Sequence, residues 1–207
     1  MKYKNLILDF SGTVADDQKR VHTAVNETLR AYNRPEIDFH TWKAIMSLDF
    51  RRMWDDLGVS APLKEIVAKY AGLYHLSKVP INPIQGNTES LGSLSKILGR
   101  KAISILSSCP QEDLESHLEE LGLRDYIGRI IGDRHQKQED LAAFHGKNAL
   151  YVGDMEQDAI AANSAGIDFA AVNSKFAYHP IERLARHHLK YLINHLKDLV
   201  KIVQNGR

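Results

Sequence analysis

Cysteine is almost absent: Cys109 is the single one in 207 residues. One thiol excludes an intrachain disulfide framework and any zinc cluster built from several cysteines. An excess of charge is lacking too. Lys and Arg number 27 and Asp and Glu 26, a formal charge of +1. That balance excludes the strong basic footprint of a nucleic-acid or anionic-membrane binder. The ten histidines add positive charge only below neutral pH. No apolar run approaches the roughly 18 residues of a membrane-crossing helix. The first apolar run, Leu6-Ile7-Leu8, meets Asp9 after three residues and does not read as a signal peptide. Repeats and low-complexity stretches are missing. The expectation is a soluble, reduced, cytoplasmic protein without nucleic-acid or membrane partners. At roughly 150 residues per domain, the length suits one domain or one domain with an insertion.

What is present is a rhythm of short apolar runs, each closed by a turn residue. Leu6–Leu8 ends at Asp9, Ala102–Leu106 at Ser107, and Ile127–Ile131 at Gly132-Asp133. Ala149–Val152 ends at Gly153-Asp154 and Phe169–Val172 at Asn173. Runs this short and this apolar read as strands of a parallel sheet buried on both faces. Leu189, Tyr191 and Ile193 alternate in a sixth, edge strand. Helical patterns lie between them: from a cap at Asn87 or Thr88 to Leu98, from Gln111 to Leu121, and from Gln157 to Ala165, with glycines after each. Strand–helix–strand units of this length predict right-handed crossovers and a doubly wound α/β sheet.

One stretch breaks that rhythm. More than 90 residues separate the first strand from the second, far beyond a single crossover. From about Asp17 to Val79 the pattern is helical throughout, with stripes at Val21/Val25/Leu29, Trp42/Ile45/Met46 and Ile66/Tyr70/Leu73. Pro80, Pro83 and Gly86 mark the return to the sheet. The expected organisation is an α/β core of residues 1–16 and 82–207 with an all-helical insertion of residues 17–81.

In an open parallel sheet, ligands bind beyond the carboxyl ends of the strands. The polar residues there are Asp9, Ser11 and Thr13, then Ser107 and Ser108, then Asp154 and Asp158. The third strand is followed by Asp133, Arg134, His135 and Lys137. Carboxylates, hydroxyls and a lysine converging on one mouth equip a site for Mg²⁺ and a phosphoryl group. Lys101 and Lys147 precede their strands and fall at the opposite end, which leaves Lys137.

Asp9-Phe10-Ser11-Gly12-Thr13-Val14 resembles the first motif of the haloacid dehalogenase superfamily, whose phosphatases carry Asp-x-Asp-Gly-Thr after an apolar strand. Ser107 is similar to the second motif, Lys137 to the third, and Gly153-Asp154-x-x-x-Asp158 to the fourth. The resemblance covers nearly the whole chain and points to the phosphoglycolate-phosphatase-like branch, making the insertion an α-helical cap on a Rossmann-like core. It implies Asp9 as the nucleophile of an aspartyl-phosphate. It implies Mg²⁺ held by Asp9, the Ser11 carbonyl, Asp154 and Asp158. Ser107 and backbone N–H groups near Phe10 and Ser108 bind the phosphoryl oxygens in that scheme, Lys137 pairs with phosphate and Asp9, and the substrate is a small phosphorylated molecule.

One position departs. Family phosphatases carry a second Asp two residues after the nucleophile, which protonates the leaving group and then activates water. Here it is Ser11. A hydroxyl does not replace a carboxyl in acid–base work worth about 10²–10⁴-fold. Three readings follow: a slower phosphatase, a hydrolase of another bond such as a phosphonate, or a phospho-ligand-binding protein with little turnover. Phosphonoacetaldehyde hydrolases lack the second Asp but need a cap lysine, for which Lys43 is the nearby candidate. Dehalogenases lack it too but use no metal, against the Asp154/Asp158 pair. P-type ATPases carry Thr there, and nothing else matches them. In the insertion, Ser47-Leu48-Asp49-Phe50-Arg51-Arg52-Met53 is similar in position to the family's specificity loop. Arg51 or Arg52 is a candidate for a second anionic group of the substrate, against the alternative that both lie on a solvated helix face.

Overall fold

The computed structural model describes residues 2–47 and 49–204. Leu48, within the specificity-loop segment singled out above, lies outside the described residues. The chain divides into two compact units, residues 1–16 with 82–207, and residues 17–81.

In chain order the first unit opens with β1 (Asn5–Leu8) and a two-residue β2 (Ala15–Asp16). The second unit supplies α1 (Gln18–Ala31), α2 (Phe39–Ile45), α3 (Phe50–Asp56) and α4 (Leu63–Leu76). The first unit resumes with β3 (Asn82–Pro83), α5 (Asn87–Leu98), β4 (Ile103–Leu106), α6 (Gln111–Glu120) and β5 (Arg129–Ile131). It continues through α7 (Gln138–Ala142), β6 (Ala149–Gly153), α8 (Glu156–Ala165) and β7 (Asp168–Val172). It closes with α9 (Ile181–Leu184), β8 (Tyr191–Ile193) and α10 (Lys197–Gln204).

Six strands form one parallel sheet in the order β5-β4-β1-β6-β7-β8. This is a doubly wound α/β fold. β1 is flanked by β4 and β6, and the chain reverses direction across the sheet there: it runs outward through β4 and β5, then restarts at β6. Such a switch point opens a crevice beyond the carboxyl ends of the strands. The register Leu8↔Val152 makes Asp9 and Asp154 neighbours at that crevice.

The apolar runs become strands because both faces are covered. Leu6, Ile7 and Leu8 are wholly buried, as are Ile103, Ile105, Leu150 and Tyr151. One side of the sheet packs on Ala159, Ala162 and Leu141 of α8 and α7. Small alanines let α8 lie close to the sheet, and Gly166 in the left-handed conformation ends it. β8 is one edge strand, with Leu192 exposed, and β5 is the other.

The start of α5 differs from the expected cap. Gly86, not Asn87 or Thr88, occupies the N-cap, and Asn87 is the first helical residue. The Asn87 side chain instead donates to the carbonyls of Thr13 and Val14, both at 3.0 Å. A buried amide that satisfies two loop carbonyls outweighs the modest gain of local capping. The short ribbon of β2 with β3 pairs Ala15 with Pro83 and Asp16 with Asn82, where the chain leaves and re-enters the first unit.

In the second unit the stretch read as helical throughout forms four helices among the described residues, with breaks around Pro35, after Ile45 and from Leu57 to Pro62. Asp38 caps α2 by accepting from Thr41 N, and Asp49 caps α3 by accepting from Arg52 N. Trp42, Met53, Trp54 and Ile66 are buried in it, so Trp42 is core and not an exposed stacking platform. Among the described residues no helix is long and apolar enough to cross a membrane.

Candidate active site

Asp9 leaves the end of β1 with its amide still in the sheet, donating to the Val152 carbonyl at 2.8 Å. Its side chain is buried, and Lys137 reaches it from the loop after β5: Nζ donates to Asp9 Oδ1 at 2.6 Å and to Asp158 Oδ1 at 2.8 Å. Lys137 is only 4% exposed. Such a buried lysine persists only when paired, and here it has two carboxylates.

Asp158 is fixed from three directions. Besides Lys137, the Tyr151 hydroxyl donates to Oδ1 at 2.7 Å, and the amide of Met155 donates to Oδ2 at 3.1 Å. The last contact reaches back from the first turn of α8, so one carboxylate both caps that helix and faces the mouth. Asp154 receives Thr13 Oγ1 on Oδ1 at 3.1 Å and the amide of Tyr178 on Oδ2 at 2.6 Å. The His179 ring accepts from the amide of Glu156 through Nδ1 at 3.0 Å, tying the loop after β7 to the start of α8.

Two glycines make this crowding possible. Gly12 has φ +70°, and a Cβ there sits 2.3 Å from Asp154 Oδ2. A Cβ on Gly153 sits 2.5 Å from Asp158 Oδ2. Both carboxylates occupy space that any side chain at these positions fills.

Asp9, Asp154 and Asp158 each bring one oxygen within 4.8 Å of the others, all buried. Three buried carboxylates face one ammonium, an uncompensated negative charge. Burial is the largest cause that pushes Asp9 up, to about 7; Lys137 pulls it down and Asp158 pushes it up again. Burial also holds Asp154 well above the usual carboxylate range, reinforced by the charges of Asp9 and Asp158. Burial depresses Lys137, but the charges of Asp158 and Asp9 outweigh it and leave the ammonium more basic than a free lysine. An all-oxygen, anionic, charge-deficient cluster fits a hard divalent cation.

The remaining sequence candidates fall as follows. Ser107 is buried at the end of β4, its hydroxyl accepting from the amide of Cys109 at 3.1 Å; Ser108 is half-buried beside it. Ser11 is half-buried and bridges to Ala15 in the loop after β1. Cys109 is buried. Arg51 and Arg52 belong to the second unit and sit on α3. Arg51 is committed there: it pairs with Asp55, Nη1 donates to the Ala61 carbonyl at 2.8 Å, and Nη2 donates to the Val59 carbonyl at 3.1 Å. Arg52 pairs with Asp56 at 3.8 Å and is exposed. Replacing Arg51 with Ala therefore lowers the melting temperature by about 4 °C, a loss of about 1–2 kcal/mol. Turnover keeps its KM. A melting temperature unchanged with KM raised about tenfold puts Arg51 on the substrate instead.

Sequence reasoning missed Tyr151, Tyr178 and His179. Tyr151 carried a signal: a phenol inside a wholly buried strand needs a partner for its hydroxyl. Burial and the charges of Asp158 and Asp9 keep that hydroxyl protonated. Tyr178 acts through its backbone amide, which leaves no trace in residue type.

Fold and site together define a class: a doubly wound α/β enzyme with a lysine–carboxylate centre at its switch point. The haloacid dehalogenase-like hydrolase model matches residues 6–172, and the chain belongs to that family. It is similar to a phosphoglycolate phosphatase of Rhodobacter capsulatus, 23% identical over 198 residues, covering 86% of this chain and 88% of that protein. Among solved structures it resembles a predicted phosphoglycolate phosphatase of Haemophilus somnus, with a TM-score of 0.80, 16% identity and 99% of both chains covered. A haloacid dehalogenase-like family protein of Streptococcus pneumoniae aligns with a TM-score of 0.82 at 15% identity over 97% of this chain and 98% of that one. At these identities the structures speak to the fold.

Proposed function

We propose that the protein is a Mg²⁺-dependent phosphatase acting on a small phosphorylated metabolite through an aspartyl-phosphate on Asp9. The observation that carries this reading is Lys137 Nζ held between Asp9 and Asp158, with Asp154 completing a three-carboxylate cluster. The phosphoglycolate phosphatase relative supports it.

Asp9 attacks phosphorus through one carboxylate oxygen as the ester P–O bond breaks. A carboxylate is a weak nucleophile in water; held in line with a bound phosphoryl group it becomes effective. Lys137 orients Asp9 and neutralises oxygens of the transferring group. The Ser107 hydroxyl and the Ser108 amide bind its other oxygens. Mg²⁺, held by Asp9, Asp154, Asp158 and the Ser11 carbonyl, would supply charge stabilisation between nucleophile and phosphate. Ser11 offers no carboxyl, so the departing alkoxide takes its proton from water. A second water then attacks the aspartyl-phosphate, releasing inorganic phosphate and restoring Asp9. The helical unit of residues 17–81 is, in this reading, the cap that selects the substrate.

The test is phosphate release from a panel of phosphorylated metabolites, with 2-phosphoglycolate and an aryl phosphate included, in Mg²⁺ and in chelator. Release that requires the metal is expected. Silence across the panel from folded protein overturns the proposal. Ser11 favours one second reading, a phospho-ligand-binding protein with little turnover, which predicts saturable binding of panel members without release.

A further inference from the structure

Tyr151 reaches the Asp9 centre from inside the sheet. It lies mid-strand in β6, wholly buried, opposite Ile7 of β1 and Phe169 of β7. Its ring packs on the Phe169 ring with centroids 5.9 Å apart, in one cluster with Leu141 of α7 and Ala159 and Ala162 of α8. Close packing of that kind holds the ring in one orientation, so its hydroxyl is a stationary donor.

Lys137 is the opposite case. It enters from the loop after the edge strand β5, just before α7, on a flexible four-carbon stem. Its ammonium carries three protons. One goes to Asp9 Oδ1 at 2.6 Å and one to Asp158 Oδ1 at 2.8 Å. In the proposed mechanism the third serves a phosphoryl oxygen. The Tyr151 hydroxyl donates to the same Asp158 Oδ1, at 2.7 Å, and the ammonium lies 5.8 Å from the centre of the Tyr151 ring. One buried oxygen is therefore shared between a fixed donor and a movable one. The positive ends of the two donors repel each other, and the phenol occupies part of the oxygen's accepting capacity. Both effects weaken the pull of Asp158 on the ammonium.

We infer that Tyr151 is a positioning residue: by occupying Asp158 Oδ1, its hydroxyl keeps Lys137 against Asp9. The phenol acts through Asp158 and Lys137 and does not itself meet the substrate. Without it, the ammonium settles on Asp158 and leaves Asp9. The consequence for turnover rests on the phosphatase reading; the placement of Lys137 does not. A misplacement of about 1 Å at a reacting centre costs up to about 10²-fold in rate.

The experiment uses Tyr151→Phe in the full chain. Phenylalanine removes the hydroxyl and keeps the ring on Phe169, so the fold holds. In a crystal structure of the variant, Lys137 Nζ is expected on Asp158 and more than about 3.5 Å from Asp9 Oδ1, beyond hydrogen-bond reach. In phosphate release, kcat is expected to fall about tenfold or more with KM unchanged. A phenol that only fills and satisfies the core lowers Tm and leaves kcat intact, and that result overturns the inference. Lys137 still bonded to Asp9 in the variant overturns it as well. The parent offers a check that needs no variant: the Tyr151 hydroxyl proton is expected to exchange slowly by NMR, and fast exchange sinks the fixed-donor argument. Silence of the parent on every phosphorylated substrate removes the phosphatase reading instead, and the Lys137–Asp9 distance still decides the placement.

Discussion

Replacing Ser11 with Asp raises metal-dependent phosphatase turnover by about 10²-fold, within the range general acid–base catalysis supplies. The parent lacks a carboxyl at this position. Without a proton donor, the leaving oxygen departs carrying its full charge, so the rate depends steeply on how acidic the departing alcohol is. Aryl phosphates outpace alkyl phosphates strongly in the parent, and the gap narrows in the variant because a carboxyl now protonates the poorer leaving group. Ser11 is half-buried in a loop, so a carboxylate there avoids the full cost of burying a charge. Steady-state kinetics on one aryl and one alkyl ester at saturating Mg²⁺ measure both effects. Unchanged or lower turnover, with the aryl preference intact, removes Ser11 as the limiting position.

Asp9→Asn abolishes turnover, by about 10⁴-fold or more, while the fold survives. The amide keeps the shape of the carboxyl but neither attacks phosphorus nor carries the charge that faces Lys137. Stability moves the other way. In metal-free protein Asp9 has its carboxyl pushed up to about 7, chiefly by burial. A group raised in the fold favours the folded state at low pH, and that contribution is lost as pH rises from its unfolded value through about 7. At pH 8 the parent holds a buried carboxylate at a cost, and the neutral amide does not. The metal-free variant therefore melts no lower than the parent at pH 8. Thermal melts in chelator with a phosphate-release assay check both halves, and measurable turnover in a folded variant ends the aspartyl-phosphate mechanism.

The sheet was legible because parallel strands leave an unusual trace. Ile103–Leu106 and Ala149–Val152 are buried on both faces, so they read as short apolar runs, broken only by the small Ser104, and polar residues follow each where the crevice begins. The same logic located Asp9, Lys137, Asp154 and Asp158 without coordinates, since strand ends in such a sheet face one side. What stayed hidden depends on contacts that residue type does not encode. Asn87 looked like a helix cap, yet its amide serves carbonyls of Thr13 and Val14, far away in sequence. Tyr178 supports Asp154 through a backbone N–H, which every residue except proline possesses. The pairing of Arg51 with Asp55 follows ordinary i,i+4 spacing; the carbonyls of Val59 and Ala61 that complete its shell come from a turn beyond α3 that no periodicity announces.

The glycines against the two carboxylates have a consequence for how this chemistry changes over time. Gly12 and Gly153 have no room for a methyl group, and Phe10 is wholly enclosed. Ser11 stands between two positions that tolerate almost nothing, yet is itself half open to solvent. In the proposed mechanism, a change at this one position adds or removes a proton donor while the carboxylate scaffold around it stays fixed. The loop after β1 thereby separates the part that must be inherited unchanged from the part where a new reaction can be tried.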